Sequence, residues 1–157
     1  MIKKLMRISV PVAAADQAVK AYIRHRMQGQ TLFEIPGIVA ITPSFNTGAA
    51  FSLLTGQPVF LAVASVVLLL AISFYASRTM HLTRAAQTAF CCMIGGGAGN
   101  LIDRMVFGGV TDYIRLLLFH FPVFNLADMA ITGSIAVLLI LLLTGRLEVT
   151  EEHGSDH

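Results

Sequence analysis

Charge is scarce in this chain. Only 13% of its 157 residues are Asp, Glu, Lys or Arg, against 55% apolar residues and a mean hydropathy of +0.73. That balance excludes an ordinary soluble domain, which carries about 25% charged residues, and makes a bilayer the expected solvent. The formal net charge of +2 comes without any basic cluster, so nothing here could meet a phosphate backbone and nucleic acid is excluded as a partner. Cysteine is equally scarce. Cys91 and Cys92 are adjacent, and neighbours on a helix diverge by about 100°, which rules out an ordinary disulfide and a zinc-ligand pair. They read as small packing residues. Two chemical motifs are absent as well: no His-Glu-x-x-His is present for a metalloprotease, and no Gly-Lys-Ser/Thr completes a phosphate loop after the glycines from Gly95 to Gly99. No metal and no cofactor is expected.

What the chain does have is apolar length. No Asp, Glu, Lys or Arg occurs from Ile35 to Ser77, and the stretch 58–77 suffices to cross a bilayer at about 1.5 Å per residue. Ala85 to Ile102 and Met129 to Gly145 are further uncharged runs. The last extends back through Asp128 to about Pro122, a residue suited to a helix start. A fourth span near residues 5–24 is less apolar, carrying Arg7, Asp16 and Lys20. Lys3, Lys4 and Arg7 ahead of Ala13 to Ala15 could also be the pattern of a cleaved signal peptide, but the apolar core is short and holds Pro11. A retained helix is the preferred reading. The expected organisation is one domain, 1–147, with spans at about 5–24, 58–77, 85–104 and 122–145, followed by a frayed tail, 148–157.

Four spans put both termini on one side. Lys3, Lys4, Arg7, Arg78, Arg84 and Arg146 fall there, against Arg24, Arg26, Arg104 and Arg115 opposite, a slight bias toward cytoplasmic termini. The long connection at about 27–57 contains Pro36, Pro43 and β-favouring residues such as Ile38, Val39, Ile41 and Phe45, so short strands are expected outside the membrane. A loop of that length in so small a protein is commonly functional.

The chemistry sits in charges that a membrane tolerates poorly. Asp16 and Lys20 stand at i, i+4 and can neutralise each other, as a structural pair or as part of a site. Asn100, Asp103 and Arg104 close the third helix, where Asp103 and Arg104, as sequence neighbours, are expected to reach separate partners. With a helix start near Pro122, Asp128 lies about 9 Å along it, with Asn125 on the same face. Asp112 follows Gly108 and Gly109, a turn able to fold it back toward Asp128. Two converging carboxylates would share a proton, and such a pair can activate water with one member and polarise a peptide carbonyl with the other. Separate structural or ion-binding duties for the two remain the alternative at this point.

Five ordered blocks carry a family likeness. Asp16-Gln-Ala-Val-Lys20, Asn46-Thr-Gly48-Ala-Ala-Phe51, Gly96-Gly-Ala-Gly-Asn100-Leu-Ile-Asp103-Arg104, Val110-Thr-Asp112-Tyr and Phe124-Asn125-Leu-Ala-Asp128 resemble the signature blocks of signal peptidase II, the lipoprotein signal peptidase. The resemblance implies an all-α integral membrane protein of four transmembrane helices with an extracytoplasmic β-cradle and a short outer helix. It implies an aspartic endopeptidase of the bacterial inner membrane, monomeric, with both termini cytoplasmic and its site near the outer face. Asp112 and Asp128 match the catalytic aspartates. Asn46, Gly48, Asn100, Asp103, Arg104, Asn125, Asp16 and Lys20 match residues that bind substrate or support the site. The implied substrates are prolipoproteins cut just before a diacylglyceryl-modified cysteine, in contact with membrane lipid and inhibited by globomycin-type peptides.

Other classes fit less well. A small carrier or proton-relay protein would use Asp16, Asp112 and Asp128 but leaves the accompanying Asn and Gly residues unexplained. A scaffold would use the Gly95 and Gly99 step, which admits a close helix neighbour, and ignore the aspartates. A Ser-Lys protease would need Lys20 beside Ser44 or Ser52.

Overall fold

The computed structural model describes residues 2–26, 30–48, 53–78 and 82–148, with backbone alone for 2–4. Four helices and three strands follow one another: α1 (Ile2–Arg26), β1 (Phe33–Ile35), β2 (Val39–Asn46), α2 (Pro58–Arg78), α3 (Arg84–Phe107), β3 (Val110–Leu116) and α4 (Leu126–Leu143). No fifth helix occurs among the described residues. Ala49 to Ser52, which include Phe51 and Ser52, and the tail from Val149 onward lie outside them.

α3 is the centre of the helical body, with α1, α2 and α4 packed around it. Glycine makes that possible. A Cβ on Gly95 would stand 2.7 Å from the Ser9 carbonyl of α1, and one on Gly96 would stand 2.6 Å from the Ala127 carbonyl of α4, so both approaches require a missing side chain. Ser9 uses the proximity, its hydroxyl donating to the Cys91 carbonyl at 2.7 Å. α2 and α4 are long and apolar enough to cross a membrane. Their outer faces leave Val59, Val67, Leu70, Leu142 and Leu143 exposed, a surface that water would oppose and lipid would accept.

The helix ends are set locally. Thr83 caps α3 by accepting the Ala86 N–H, and Gly108 ends it in the left-handed region at φ 77°, where a side chain would be strained. The start of α4 corrects the sequence expectation. The helix begins at Leu126, after an Asn125 cap, and not near Pro122. Phe124 is instead drawn into an antiparallel bridge with Ile114, giving its N–H to the Ile114 carbonyl at 3.0 Å. Extended backbone suits proline as well as a helix start does, and the sheet decides the matter. Asp128 therefore sits in the first turn of α4, not about 9 Å along it.

The strands form one antiparallel sheet ordered β1-β2-β3. β1 and β2 are joined through Pro36 and Gly37, the latter at φ 73°, the pattern of a turn that needs a positive φ at its third residue. The pairing of β2 with β3 shifts between Ile41 and Ser44, where Pro43 lacks a ladder donor. Beyond the shift Ser44 faces Asp112 and Asn46 faces Val110. The strands expected in the long connection are present. Past the turn expected at Gly108 and Gly109 the chain forms a further strand, β3, and it is this strand that carries Asp112.

Candidate active site

Asp112 on β3 and Asp128 on α4 line one cavity of about 550 Å³ together with Asn46, Asn100 and Arg104. Its other walls are mostly apolar, including Leu116, Phe121, Val123, Phe124, Met129 and Ile131. A second hollow of about 660 Å³ reaches Asp112 from the side of Ser44, Thr47, Thr55 and His120. Asp112 stands at the seam between the two.

Three amides tie the carboxylates together. Asn125 donates from Nδ2 to Asp112 Oδ1 at 2.7 Å and to Asn100 Oδ1 at 3.1 Å. Asn100 donates from Nδ2 to Asp128 Oδ1 at 2.8 Å. Asn46 donates to Asp112 Oδ2 at 3.2 Å, and its own carbonyl accepts the Gly48 N–H at 2.9 Å. Asn125 and Asp128 also form a reciprocal cap, the Asp128 N–H reaching Asn125 Oδ1 at 2.9 Å and the Asn125 N–H reaching Asp128 Oδ2 at 3.1 Å. Burial pushes the Asp112 carboxyl up to about 6, the nearby Asp128 charge adds to the rise, and the Asn125 and Asn46 amides oppose it.

Beneath this lies a buried ionic layer. Lys20 and Asp16, both fully buried, pair at 2.9 Å. Lys20 also approaches Asp103 at 3.7 Å and donates to Asn100 Oδ1 at 2.7 Å. Asp16 accepts the Ala127 N–H at 3.0 Å, so α1 helps to satisfy the open first turn of α4. Asp103 accepts the Thr111 N–H at 2.9 Å and pairs with Arg24 at 3.1 Å, which fixes β3, and with it Asp112, against α1 and α3. Arg104, the sequence neighbour of Asp103, forms no salt bridge among the described residues and faces the cavity instead. Asp103 and Arg104 do diverge as expected, but among the described residues only Asp103 finds side-chain partners, Lys20, Arg24 and Gln17.

The structure brings all ten residues singled out from sequence together, lining the cavity or joined by the polar contacts around it. Four further contributors were not singled out. Gln17 donates to the Gly99 carbonyl at 2.9 Å and to Asp103 at 3.0 Å, Thr111 accepts from Arg24 at 3.1 Å, and the Tyr113 hydroxyl accepts the Leu126 N–H at 3.1 Å. Burial keeps that phenol neutral, its pKa pushed up to about 12. Gln17, Thr111 and Tyr113 adjoin aspartates within the family-like blocks, which is the signal that could have found them. Arg24 had none.

The fold is shared with solved structures described as bacterial membrane enzymes. One, a "Bacterial membrane enzyme structure by the in meso method at 2.3 A resolution", superposes with TM-score 0.85 at 29% identity over 100% of this chain and 95% of that one. A second, described in the same words at 1.9 Å, gives TM-score 0.81 at 31% identity over 91% and 94%. The family model for signal peptidase (SPase) II matches residues 8–144. A lipoprotein signal peptidase of Streptococcus thermophilus (strain CNRZ 1066) is 33% identical over 98% of this chain and all of its own length, and that of Streptococcus pyogenes serotype M1 is 38% identical over 90% and 95%. The chain belongs to the signal peptidase II family, and is thereby a peptidase.

Proposed function

We propose that the protein is an aspartic endopeptidase of the bacterial inner membrane that removes signal peptides from diacylglyceryl-modified prolipoproteins, cutting just before the lipidated cysteine. The observation that carries this reading is that Asp112 and Asp128, from different elements, meet one largely apolar cavity through a shared amide network. One carboxylate takes a proton from water as it attacks the scissile carbonyl, and the other, protonated, donates to the carbonyl oxygen. Asp112, held near 6, exchanges its proton close to neutral pH, where such a pair is useful. Arg104, directed into the cavity, holds backbone carbonyls of the bound peptide through its several donors.

The apolar walls favour a substrate that arrives with acyl chains, and globomycin-type peptides would compete for the same space. The exposed apolar faces of α2 and α4 support membrane embedding. We assign all four helices to the bilayer, with both termini cytoplasmic and the sheet outside. A proton-relay role explains the carboxylates but not three amides aimed at them.

Asp112→Asn and Asp128→Asn are each expected to abolish cleavage of a lipidated reporter peptide in detergent while leaving the protein folded and able to bind inhibitor. Near wild-type turnover in either variant would falsify the paired assignment.

A further inference from the structure

Each of the three amides at the carboxylate pair has two possible orientations, differing by a half-turn that exchanges its oxygen and nitrogen. All three present their NH₂ to a carboxylate. In each case the reason is a donor, incapable of accepting, that holds the amide oxygen. For Asn46 that donor is the Gly48 N–H, and for Asn125 it is the Asp128 N–H. Both are backbone groups that no side-chain change short of proline removes. For Asn100 the setting group is the ammonium of Lys20, at 2.7 Å.

We infer that Lys20, beyond neutralising Asp16, is a positioning residue for the reaction: it fixes the Asn100 amide so that its NH₂ meets Asp128 and its oxygen meets Asn125. The inference rests on the catalytic reading of the two aspartates. An ammonium only donates, so the Asn100 atom beside Lys20 must be oxygen and the atom beside Asp128 must be nitrogen. Asn100 Oδ1 also receives Asn125 Nδ2, whose NH₂ in turn reaches Asp112. One buried cation thereby determines how Asp128 is met, and orients the acceptor for the second N–H of the amide that meets Asp112. Without it Asn100 can reverse, turning an acceptor toward Asp128 and an NH₂ toward the NH₂ of Asn125. The reversed arrangement favours the doubly protonated pair, which has no base to activate water.

The charged and titratable groups around this chain of contacts are Asp16 and Arg24 on α1, Asp103 and Arg104 on α3, Asp112 and Tyr113 on β3, and Asp128 on α4. Removing Lys20 alone changes the charge balance among them. A second variant separates charge from orientation: Asp16→Asn with Lys20→Gln replaces the ion pair by two amides of similar size, leaving net charge unchanged. A glutamine can accept as well as donate, so the commitment of Asn100 is lost. It also carries the test if Lys20→Gln alone does not fold.

The experiment measures kcat and KM against pH for a lipidated reporter peptide in micelles, for wild type, Lys20→Gln, the charge-balanced double variant, Asn100→Ala, Asn100→Ala with Lys20→Gln, Asp112→Asn and Asp128→Asn. Both Lys20 variants should lose kcat by about tenfold or more with KM within about threefold, and move the acid limb of the kcat profile upward by about half a pH unit or more, the scale of a reoriented hydrogen bond. In the Asn100→Ala background, Lys20→Gln should produce no further displacement of that limb. A charge-balanced variant that folds and keeps the wild-type profile overturns the inference, as does a displacement that persists undiminished without Asn100, which marks a pure charge effect. Inactive Asp112→Asn and Asp128→Asn beside unaltered Lys20 profiles sink the role of Lys20 alone. Active aspartate variants sink the catalytic reading beneath it.

Discussion

Asp112 is 3% exposed, and its ionised form is disfavoured by burial and by Asp128. Its folded-state pKa of about 6 stands above the unfolded value of about 3.9, so the folded protein holds this proton more tightly than the unfolded chain. Stability from this group is complete below about pH 4 and is lost as pH rises toward 6, a change on the order of 3 kcal/mol for a rise from 3.8 to about 6. An asparagine there has no proton to lose, though it gives up one acceptor at a cost of about 1 kcal/mol. Asp112→Asn should therefore gain stability relative to wild type between pH 4 and pH 7 while losing activity. Thermal melts of both proteins in one detergent at the two pH values check this, and a difference independent of pH would show that Asp112 does not titrate as its burial requires. Arg104 gives a second expectation at this scale. With no carboxylate paired to it among the described residues and the cavity in front of it, Arg104→Lys should lower kcat/KM about tenfold or more, because lysine keeps the charge but not the fork of donors. Wild-type kinetics would reduce Arg104 to an interfacial anchor. These residues were legible in the sequence because each is a charge out of place in an apolar chain. Arg24 was not, since it lies near a helix end where arginine is ordinary and its partners Asp103 and Thr111 are far away in sequence.

Among the elements, apolar runs point to α2, α3 and α4, and the prolines and β-favouring residues of the long connection point to short strands there, where β1 and β2 form. Two features escaped. β3 follows a helix cap directly and gains its strand character by pairing with β2, a partner no local pattern reveals. The start of α4 was misplaced because Pro122 is compatible with either backbone, and the bridge from Phe124 to Ile114 settles it. The meeting of α1 and α3 yields a prediction of its own. A Cβ on Gly99 would run into the Asp16 carboxylate, which is pinned by Lys20 and by the Ala127 N–H, whereas one on Gly97 would meet only the tip of Leu69. Gly99→Ala should destabilise by about 1–3 kcal/mol, the usual range for overpacking, and disturb catalysis through Lys20. Gly97→Ala should be tolerated, since a leucine rotamer can yield and alanine favours a helix by about 1 kcal/mol. Equal melting temperatures for the two variants would mean that the contact between Asp16 and Gly99 is looser than the structure has it.

In the molecule as a whole, the cavity that holds the two aspartates has apolar walls and lies beside helices with exposed apolar faces. If Asp112 and Asp128 are the catalytic pair as proposed, Asp128 in the first turn of α4 and Asp112 on the sheet put the scissile bond at the boundary between the helical body and the strands. If the helices span the bilayer as proposed, that boundary is the outer interface, and a water-soluble peptide must leave water to reach it. Acyl chains offset this cost, since each buried CH₂ contributes about 0.8 kcal/mol toward the membrane, and Leu116, Phe121, Val123 and Ile131 offer them a compatible surface. Lipidation should then act by concentrating the substrate and holding its cysteine beside the carboxylates. Unlipidated precursor is expected to be cleaved orders of magnitude more slowly, with most of the loss in KM. Shortening the 27–57 connection, whose strands β1 and β2 brace β3, should likewise raise KM more than it harms folding. Side-by-side rates in the same micelles are decisive: equal cleavage of lipidated and unlipidated precursor would refute lipid anchoring even with both aspartates proved catalytic, because a site that gains nothing from acyl chains has no use for walls of this kind.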